Sequence, residues 1–238
     1  MTPALPSAAR YIALIPAAGV GARMAAACPK QYLDIAGQSM LQHTVNAFLA
    51  SPEISHTYVV VSPGDAYVDT QLAPAEHLTL LRCGGATRRD TVSNGLAAIQ
   101  AAAADWILVH DAARPGVHRG LLKKLIDAVG NHAVGGLLAL PVVDTVKRVR
   151  DGRVETIARD GLWLAQTPQM FRCALLQQAL AQVEQVTDEA SALEAAGYTP
   201  LLIAGHACNL KVTVPSDLLL ATEYLKLHRE NEGMFDEK

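Results

Sequence analysis

Short, almost wholly apolar runs alternate along the chain with longer segments whose apolar residues recur at helical spacing. Strands are predicted at Tyr11–Pro16, Thr57–Ser62, Leu78–Arg82, Trp106–His110 and Gly136–Val142. Helices are predicted between them, near Ser39–Ala50, Arg89–Ala102 and Arg119–Gly130. Strands and helices that alternate in this way are typical of an α/β fold, in which helices cover both faces of a mostly parallel sheet.

The alternation breaks after Val143, where two charged and alternating runs flank Asp151-Gly152. An Asp-Gly pair between such runs predicts a β-hairpin closed by a type I′ turn. Because most of its residues are charged, we expect the hairpin, at about residues 144–160, to project from the body as an arm. A projecting hairpin is only marginally stable alone, so we expect it to pack against a second subunit in a homodimer.

The α/β pattern resumes beyond the arm and continues to the last residues. No linker is visible, so residues 1–238 are expected to form a single domain that carries the arm. The elements predicted after the arm are a helix over Arg172–Val186, a helix over Asp188–Ala196 capped by Thr187, strands at Leu201–Ala204 and Leu210–Val214, and a helix from Pro215 to about Arg229.

The composition is that of an ordinary globular protein of 238 residues, half of them apolar, with a net charge of −3. This charge gives no sign of a nucleic-acid partner or an anionic membrane. No apolar run reaches the roughly 18 residues that span a bilayer. The four cysteines are widely spaced and the histidines form no ligand pattern, which argues against a protein-built zinc site. The apolar stretch before Tyr11 is too short for a signal peptide, so we expect a cytoplasmic location.

A loop of very small residues follows the first predicted strand. It reads Pro16-Ala17-Ala18-Gly19-Val20-Gly21-Ala22-Arg23-Met24, and Lys30 follows shortly. Small side chains let backbone N–H groups approach a bulky anion, and the two cations can neutralise it. The loop matches neither G-x-G-x-x-G, since Met24 replaces the third glycine, nor a Walker A loop. It predicts a cradle for nucleotide phosphates; the alternative is a tight turn with two solvated cations.

Two further strand ends carry candidate chemistry at the carboxyl edge of the predicted sheet, where open α/β folds bind ligands. Gly84-Gly85-Ala86-Thr87-Arg88-Arg89-Asp90-Thr91 could read the edge of a base, or could be only a well-capped turn. Asp111 follows the strand Trp106–His110 and suits Mg²⁺ or a substrate hydroxyl. Arg114 could hold a phosphate in bidentate fashion, and a structural Asp–Arg pair is the alternative.

The remaining candidates lie at the base of the arm and near the last predicted helix. Thr145, Arg159 and Thr167 could face an anionic substrate, although each alone is equally consistent with a surface or turn residue. Lys211 is flanked by Leu210 and Val212, and a charged residue within an apolar run usually has a partner. That partner is expected to be either a buried acid or a ligand phosphate.

Taken in order, these motifs resemble those of the 2-C-methyl-D-erythritol 4-phosphate cytidylyltransferase family. The resemblance covers the chain from about Tyr11 to Leu227. The segments that carry it are Pro16–Met24, Pro29-Lys30-Gln31-Tyr32, Val109–Pro115, Asp144–Lys147, Thr167-Pro168-Gln169, Thr187–Ala190 and Lys211-Val212-Thr213. It implies a Rossmann-like fold and transfer of a cytidylyl group from CTP to the 4-phosphate of the substrate, with release of pyrophosphate and a requirement for Mg²⁺.

Three rival functions stay open on the sequence alone. A cytidylyltransferase for another polyol phosphate, such as ribitol 5-phosphate, shares the loop, the Asp-Ala-x-Arg-Pro segment and the arm. A dinucleotide-binding oxidoreductase is disfavoured by the missing third glycine and by the cations Arg23 and Lys30. A non-catalytic nucleotide sensor is disfavoured by the concentration of cations at the proposed phosphate sites.

The resemblance also implies a role for individual residues. Arg23 and Lys30 would stabilise the pentacovalent transition state, and Arg159 and Lys211 would position the attacking phosphate. Asp111 is the expected metal ligand. The residues expected around the nucleotide are Ala17, Ala18, Gly19, Gly21, Gly85, Ala86 and Thr91. The residues expected around the second substrate are Asp111, Arg114, Thr145 and Thr167, with Thr145 and Arg159 supplied by the partner subunit's arm.

Two positions depart from the usual pattern of the family. Cys208 stands where Asp-Asn-x-Lys often begins with its acid, and Ala86 stands where the base loop often carries Asp. A backbone contact to the base would survive the change at Ala86, whereas a carboxylate contact would not.

Overall fold

A computed structural model describes residues 9–19, 28–183 and 185–230 of the chain. Its strands are β1 (Tyr11–Pro16), β2 (Asp34–Ile35), β3 (Gln38–Ser39), β4 (Ile54–Val60), β5 (Leu78–Leu81), β6 (Trp106–Val109), β7 (Gly135–Pro141), β8 (Val146–Arg150), β9 (Arg153–Ile157), β10 (Trp163–Arg172) and β11 (Leu201–Ala204). Its α-helices are α1 (Met40–Leu49), α2 (Val68–Gln71), α3 (Arg88–Ala98), α4 (Arg119–Val129), α5 (Cys173–Gln182), α6 (Glu189–Ala195) and α7 (Pro215–Glu230). Single 3₁₀ turns lie at Lys30–Tyr32 and Ala207–Asn209.

The described strands of the central sheet lie in the order β11-β7-β10-β6-β1-β4-β5. All neighbouring pairs are parallel except the two that involve β10, which runs antiparallel between β6 and β7. The predicted α/β fold with a mostly parallel sheet is therefore confirmed. The ladder between β10 and β7 shifts register between Ala165 and Gln169. Pro168 lies within that shift, at the kind of position where a sheet tolerates a residue without an N–H.

The alternation of side chains along β1 explains why helices cover both faces of the sheet. Ala13 and Ile15 pack into a core with α1 and α4, whereas Ile12 and Leu14 pack into a second core with α3, α5 and α6. Each of these four residues is at most 1% exposed. A strand that is buried on both faces reads as a continuous apolar run, which is the pattern that predicted β1.

Several predicted elements are confirmed with small changes at their ends, and others are wrong. The turn of the arm is type I′ as expected, because Asp151 has φ 51° and Gly152 has φ 74°. The predicted strand at Leu210–Val214 is wrong: these residues have irregular backbone, directly after the 3₁₀ turn at Ala207–Asn209. The predicted cap at Thr187 is also wrong. Asp188 caps α6 instead, and its carboxylate accepts the N–H of Ser191 at 3.0 Å.

The arm consists of β8 and β9, which pair with each other in a separate two-stranded sheet. Val149 and Val154 face each other across its strands and are 69% and 68% exposed. The two valines therefore leave apolar surface on the projecting arm. No helix within the described residues is long and apolar enough to cross a membrane.

Candidate active site

A cavity of about 350 Å³ lies at the carboxyl ends of β1, β5 and β6. This is the edge at which parallel sheets bind ligands. The structure brings to its wall three charged residues that the sequence analysis selected, Lys30, Asp111 and Lys211. It also brings there Ala17, Ala18, Gly19, Gly85, Ala86 and Thr91. Gly21 and Arg23 lie outside the described residues.

The described part of the small-residue loop after β1 is held in place by hydrogen bonds between its backbone and other segments of the chain. Ala17 donates its N–H to the Val60 carbonyl at 2.7 Å, and Gln31 Nε2 donates to the Ala17 carbonyl at 2.7 Å. The second glycine loop lies against it, because a Cβ on Gly84 would come within 2.4 Å of the Ala18 Cβ. A side chain at Gly84 would therefore push the two loops apart.

The loop from Gly84 to Thr91 is both a pocket wall and a well-capped turn. Thr87 and Asp90 form a capping box at the start of α3. Thr91 Oγ1 accepts the N–H of Gly85 at 3.1 Å and donates to the Thr87 carbonyl at 2.9 Å. The Thr91 hydroxyl therefore shapes the loop, while Gly85 and Ala86 present backbone and a methyl group to the cavity.

Lys30 reaches the cavity from a 3₁₀ turn that is anchored on both sides. Its Nζ donates to the Val212 carbonyl at 3.0 Å, which ties the turn to the segment of Lys211. Gln31 holds the first loop, and Tyr32 donates its hydroxyl to Asp65 Oδ2 at 2.7 Å. Burial and the neighbouring Asp65 raise the pKa of Tyr32 far above its usual value, so its hydroxyl stays protonated.

Asp111 lies at the centre of a cluster of cations. Its Oδ1 accepts from Arg88 Nε at 2.9 Å, and its Oδ2 accepts from Lys211 Nζ at 2.8 Å. Arg114 Nε lies 3.5 Å from Oδ2. Burial alone would raise the pKa of Asp111, but the charges of Arg88 and Lys211 outweigh burial and hold that pKa far below its usual range. Asp111 is therefore ionised, and the predicted partner of Lys211 is a buried acid.

Arg114 is buried and is not among the described residues of the cavity wall. Its Nη1 donates to the Asn209 carbonyl at 2.8 Å and its Nη2 to the Ala165 carbonyl at 3.3 Å. Its guanidinium thus joins the segments before Lys211 and in β10. The structure supports the alternative of a structural Asp–Arg pair, and the predicted phosphate contact of Arg114 gains no geometric support.

Thr167 is likewise buried, at 4% exposure, and serves the backbone of the site. Its Oγ1 accepts the N–H of Asp111 at 3.0 Å and lies 2.9 Å from His110 Nδ1. A contact between this hydroxyl and the substrate stays a prediction. In the structure, the hydroxyl fixes the position of the Asp111 backbone.

Lys211 is carried by an irregular segment that packs closely on the loop after β6. The Val212 N–H donates to the Ala113 carbonyl at 2.8 Å, and Cys208 Sγ donates to the Gly116 carbonyl at 3.4 Å. Burial raises the pKa of Cys208 to about 11, so the thiol is neutral. The position where the family often has an acid is therefore filled here by a buried thiol that faces a carbonyl.

Thr145 and Arg159 lie on the exposed arm, and neither is among the described residues of the cavity wall. Arg159 Nη1 donates to the Val143 carbonyl at the base of the arm. A single copy of the chain therefore does not bring them to Asp111 and Lys211. Their predicted supply by a partner subunit stays a prediction.

Asp111 is the only carboxylate among the described residues of the cavity wall, so it is the only charged ligand there for a divalent cation. Within the described residues, no three or more histidine, cysteine or acidic side chains form a group that could hold a metal ion. Mg²⁺ is commonly held by one or two carboxylates together with substrate phosphates. The donor set therefore suits an ion that is shared with a bound triphosphate, and it does not suit an ion held by the protein alone.

No role in the site was predicted from the sequence for Arg88, Gln31 or Glu189, although all three stand within the motifs quoted above. Arg88 and Gln31 line the cavity. Glu189 is 1% exposed and binds Arg88 across 101 positions of sequence. Glu189 opens a helix that also carries Ser191 and Glu194, so the local sequence gives no sign that its carboxylate is buried or which cation binds it.

The comparisons with known proteins agree on one family. A profile described as 2-C-methyl-D-erythritol 4-phosphate cytidylyltransferase matches residues 11–227. The chain is 55% identical over 222 residues to the protein of that name from Bordetella pertussis, covering 90% of this chain and 98% of the relative. It is 51% identical over 229 residues to the protein of the same name from Laribacter hongkongensis, with 94% and 99% covered.

Solved structures with the same fold carry related titles. A crystal structure of 4-diphosphocytidyl-2C-methyl-D-erythritol synthase matches with a TM-score of 0.82 at 44% identity, covering 91% of this chain and 98% of that one. The 2-C-methyl-D-erythritol 4-phosphate cytidylyltransferase of Francisella tularensis matches with a TM-score of 0.78 at 34% identity, with 91% and 100% covered.

Proposed function

Because the chain belongs to the 2-C-methyl-D-erythritol 4-phosphate cytidylyltransferase family, we propose that its cavity binds CTP and that Lys30 and Lys211 carry the transfer. The enzyme transfers the cytidylyl group of CTP to 2-C-methyl-D-erythritol 4-phosphate and releases pyrophosphate. The family assignment favours this substrate over ribitol 5-phosphate, and this reaction over a dehydrogenase. What remains to be assigned is the part that each residue plays.

The nucleophile of this reaction is already an anion. An oxygen of the substrate phosphate attacks the α-phosphorus of CTP, and a new P–O bond forms as the bond to pyrophosphate breaks. No general base is needed, so catalysis consists of bringing two anions together and neutralising the charge that develops between them. The described cavity wall supplies Lys30 and Lys211 for that purpose. The guanidinium of Arg88 also lies on this wall, but it is bound to Glu189 and Asp111.

The nucleotide half of the site is built from backbone and small side chains. Ala17, Ala18 and Gly19 form one wall, and Gly85 and Ala86 form the other. We assign the cytosine to the space between these loops and the phosphates to the side of Lys30. Walls that are held together at Gly84 leave little room to spread, which favours a pyrimidine over a purine by size.

The acceptor half of the site is built around the pair of Asp111 and Lys211. Lys211 Nζ lies 2.8 Å from Asp111 Oδ2, and the Lys211 side chain is 37% exposed, so it is oriented and still open to the cavity. We assign to Lys211 the positioning of the attacking phosphate. Mg²⁺ would be held by Asp111 together with the phosphates of CTP, and when bound it would neutralise charge on the nucleotide.

A homodimer is the second part of the proposal. Thr145 and Arg159 would reach the acceptor half of the neighbouring subunit, and the exposed pair of Val149 and Val154 gives the arm apolar surface to bury there. The dispersed cysteines, all free in the structure, support a cytoplasmic location.

The observation that carries the proposal is the convergence of Lys30, Asp111 and Lys211 on the cavity that both small-residue loops enclose. Lys30→Ala should lower kcat about a thousandfold, the size of effect expected when one preorganised charge is removed from a transition state. Pyrophosphate release measures it, with Lys123→Ala on the exposed face of α4 as the control. Unchanged turnover in Lys30→Ala would refute the assignment.

The shared site has its own test. Lys30→Ala and Arg159→Ala homodimers should each be inactive, and their mixture should regain part of the activity, because one of the two sites in a mixed dimer is complete. Native mass spectrometry would verify that subunits exchange. Exchange without recovery of activity would show that Arg159 acts within its own subunit, and an active Arg159→Ala homodimer would show that Arg159 is not needed.

A further inference from the structure

A buried carboxylate touches the site only through an arginine. Glu189 Oε1 accepts from Arg88 Nη1 at 2.7 Å, and Oε2 accepts from Nη2 at 3.0 Å. The third nitrogen of that guanidinium, Nε, donates to Asp111 Oδ1 at 2.9 Å. Arg88 and Asp111 belong to the cavity wall, whereas Glu189 is absent from its described lining. The contacts therefore run from Glu189 through Arg88 and Asp111 to Lys211.

Glu189 is itself fixed by contacts that are independent of Arg88. It is the first residue of α6, and the side chain of Gln169 in β10 holds that helix end from both sides. Gln169 Nε2 donates to Asp188 Oδ2 at 2.8 Å, and Gln169 Oε1 accepts the N–H of Ala190 at 2.7 Å. Gln169 pairs with Val109 of β6, so the residue that holds the helix end of Glu189 is anchored beside the strand that leads to Asp111.

The geometry around Arg88 determines which oxygen of Asp111 each neighbouring cation binds. A guanidinium is a planar fork, and a carboxylate that accepts from both terminal nitrogens fixes its plane. Glu189 does this, so Arg88 meets Asp111 through Nε and occupies Oδ1, while Oδ2 stays available to Lys211. Without Glu189, the two terminal nitrogens of Arg88 would be free to take both oxygens of Asp111 or to bind phosphate.

We propose that Glu189 is a positioning residue of the transfer reaction, which acts through Arg88 to hold Asp111 in the orientation that aims Lys211 at the attacking phosphate. The proposal rests on the role assigned above to Lys211. It requires that loss of Glu189 harm the use of the acceptor substrate, while binding of CTP without a divalent cation, which depends on the small-residue loops and Lys30, changes little.

The test compares Glu189→Gln with Glu194→Gln, an exposed glutamate of the same helix. Glu189→Gln should lower kcat/KM for 2-C-methyl-D-erythritol 4-phosphate by about tenfold to a hundredfold, while the Kd of CTP measured without Mg²⁺ changes less than about threefold. Glu194→Gln should match the unchanged enzyme. Thermal unfolding and circular dichroism establish that each variant is folded. If Glu189→Gln is not folded, Glu189→Asp takes its place and should show a loss of several-fold.

A double-mutant cycle separates positioning from a merely structural role. If Glu189 acts through Arg88, the double variant Arg88→Gln with Glu189→Gln should be no slower than Arg88→Gln alone. Additive losses, an unchanged kcat/KM in the folded Glu189 variant, or an equal loss of CTP binding would overturn the proposal. Lys211→Met distinguishes failure of the proposed role of Lys211 from failure of the positioning role of Glu189. If Lys211→Met keeps its activity, the role of Lys211 is refuted, and the positioning role of Glu189 with it. If it is inactive while Glu189→Gln is normal, only the positioning role fails.

Discussion

His110 should make the fold sensitive to mild acid. Its ring is fully buried at the end of β6 and lies 5.2 Å from the ring of Phe48, measured between centroids. Nε2 lies 3.2 Å from the Arg114 carbonyl, which can only accept, so Nε2 carries the proton and Nδ1 accepts from the Thr167 hydroxyl. A second proton on Nδ1 would oppose that hydroxyl bond. Burial accordingly lowers the pKa of His110 to about 3, from an ordinary value of 6.5.

The sign and size of the effect follow from this difference. Between pH 6.5 and pH 3 the unfolded chain binds a proton at this position that the folded chain does not, so stability falls as the pH falls. From pH 7 to pH 5 the loss from His110 alone is about 2 kcal/mol. That is a substantial fraction of the roughly 5 to 15 kcal/mol that stabilises a typical domain.

Urea unfolding at a series of pH values would measure the effect. We expect His110→Asn to flatten the slope of unfolding free energy against pH below pH 6.5, whatever its cost at pH 7. His77→Asn is the control, because His77 is exposed and its φ of 60° suits asparagine. Equal slopes in His110→Asn and in the unchanged protein would refute the reasoning.

Two further predictions concern packing and a buried charge. Gly116→Ala should destabilise the fold by about 3 kcal/mol in urea unfolding, because its Cβ would lie 1.9 Å from the Cys208 carbonyl oxygen. Gly64→Ala, with open space around it, should change stability by less than about 0.5 kcal/mol. Equal effects of the two substitutions would contradict the packing argument. Asp105→Asn should cost about 2 kcal/mol in the same assay, because this 3% exposed carboxylate accepts four N–H bonds. The exposed Asp127→Asn should cost almost nothing, and a similar loss there would remove the role of burial.

The candidate site was predictable wherever its residues follow directly from a strand end. Ala17 to Gly19, Gly85 and Asp111 all come within a few residues of an apolar run, and parallel strands bring their carboxyl ends to one edge. Lys211 was found for a different reason, as a charge within apolar residues. Its surroundings were predicted as a strand, but its segment instead packs on the loop after β6, where Val212 bonds to Ala113.

The sequence by itself determined the features that depend on neighbours a few positions apart. Continuous apolar runs placed the parallel strands, and Asp151-Gly152 specified the turn of the arm, since only a few residues accept positive φ. Tertiary structure decided where β10 inserts, that Arg114 serves the backbone, and that Glu189 reaches Asp111 through Arg88. Strand pairing and buried ion pairs depend on which segments, far apart in sequence, pack together in the fold. Local sequence patterns do not encode this packing.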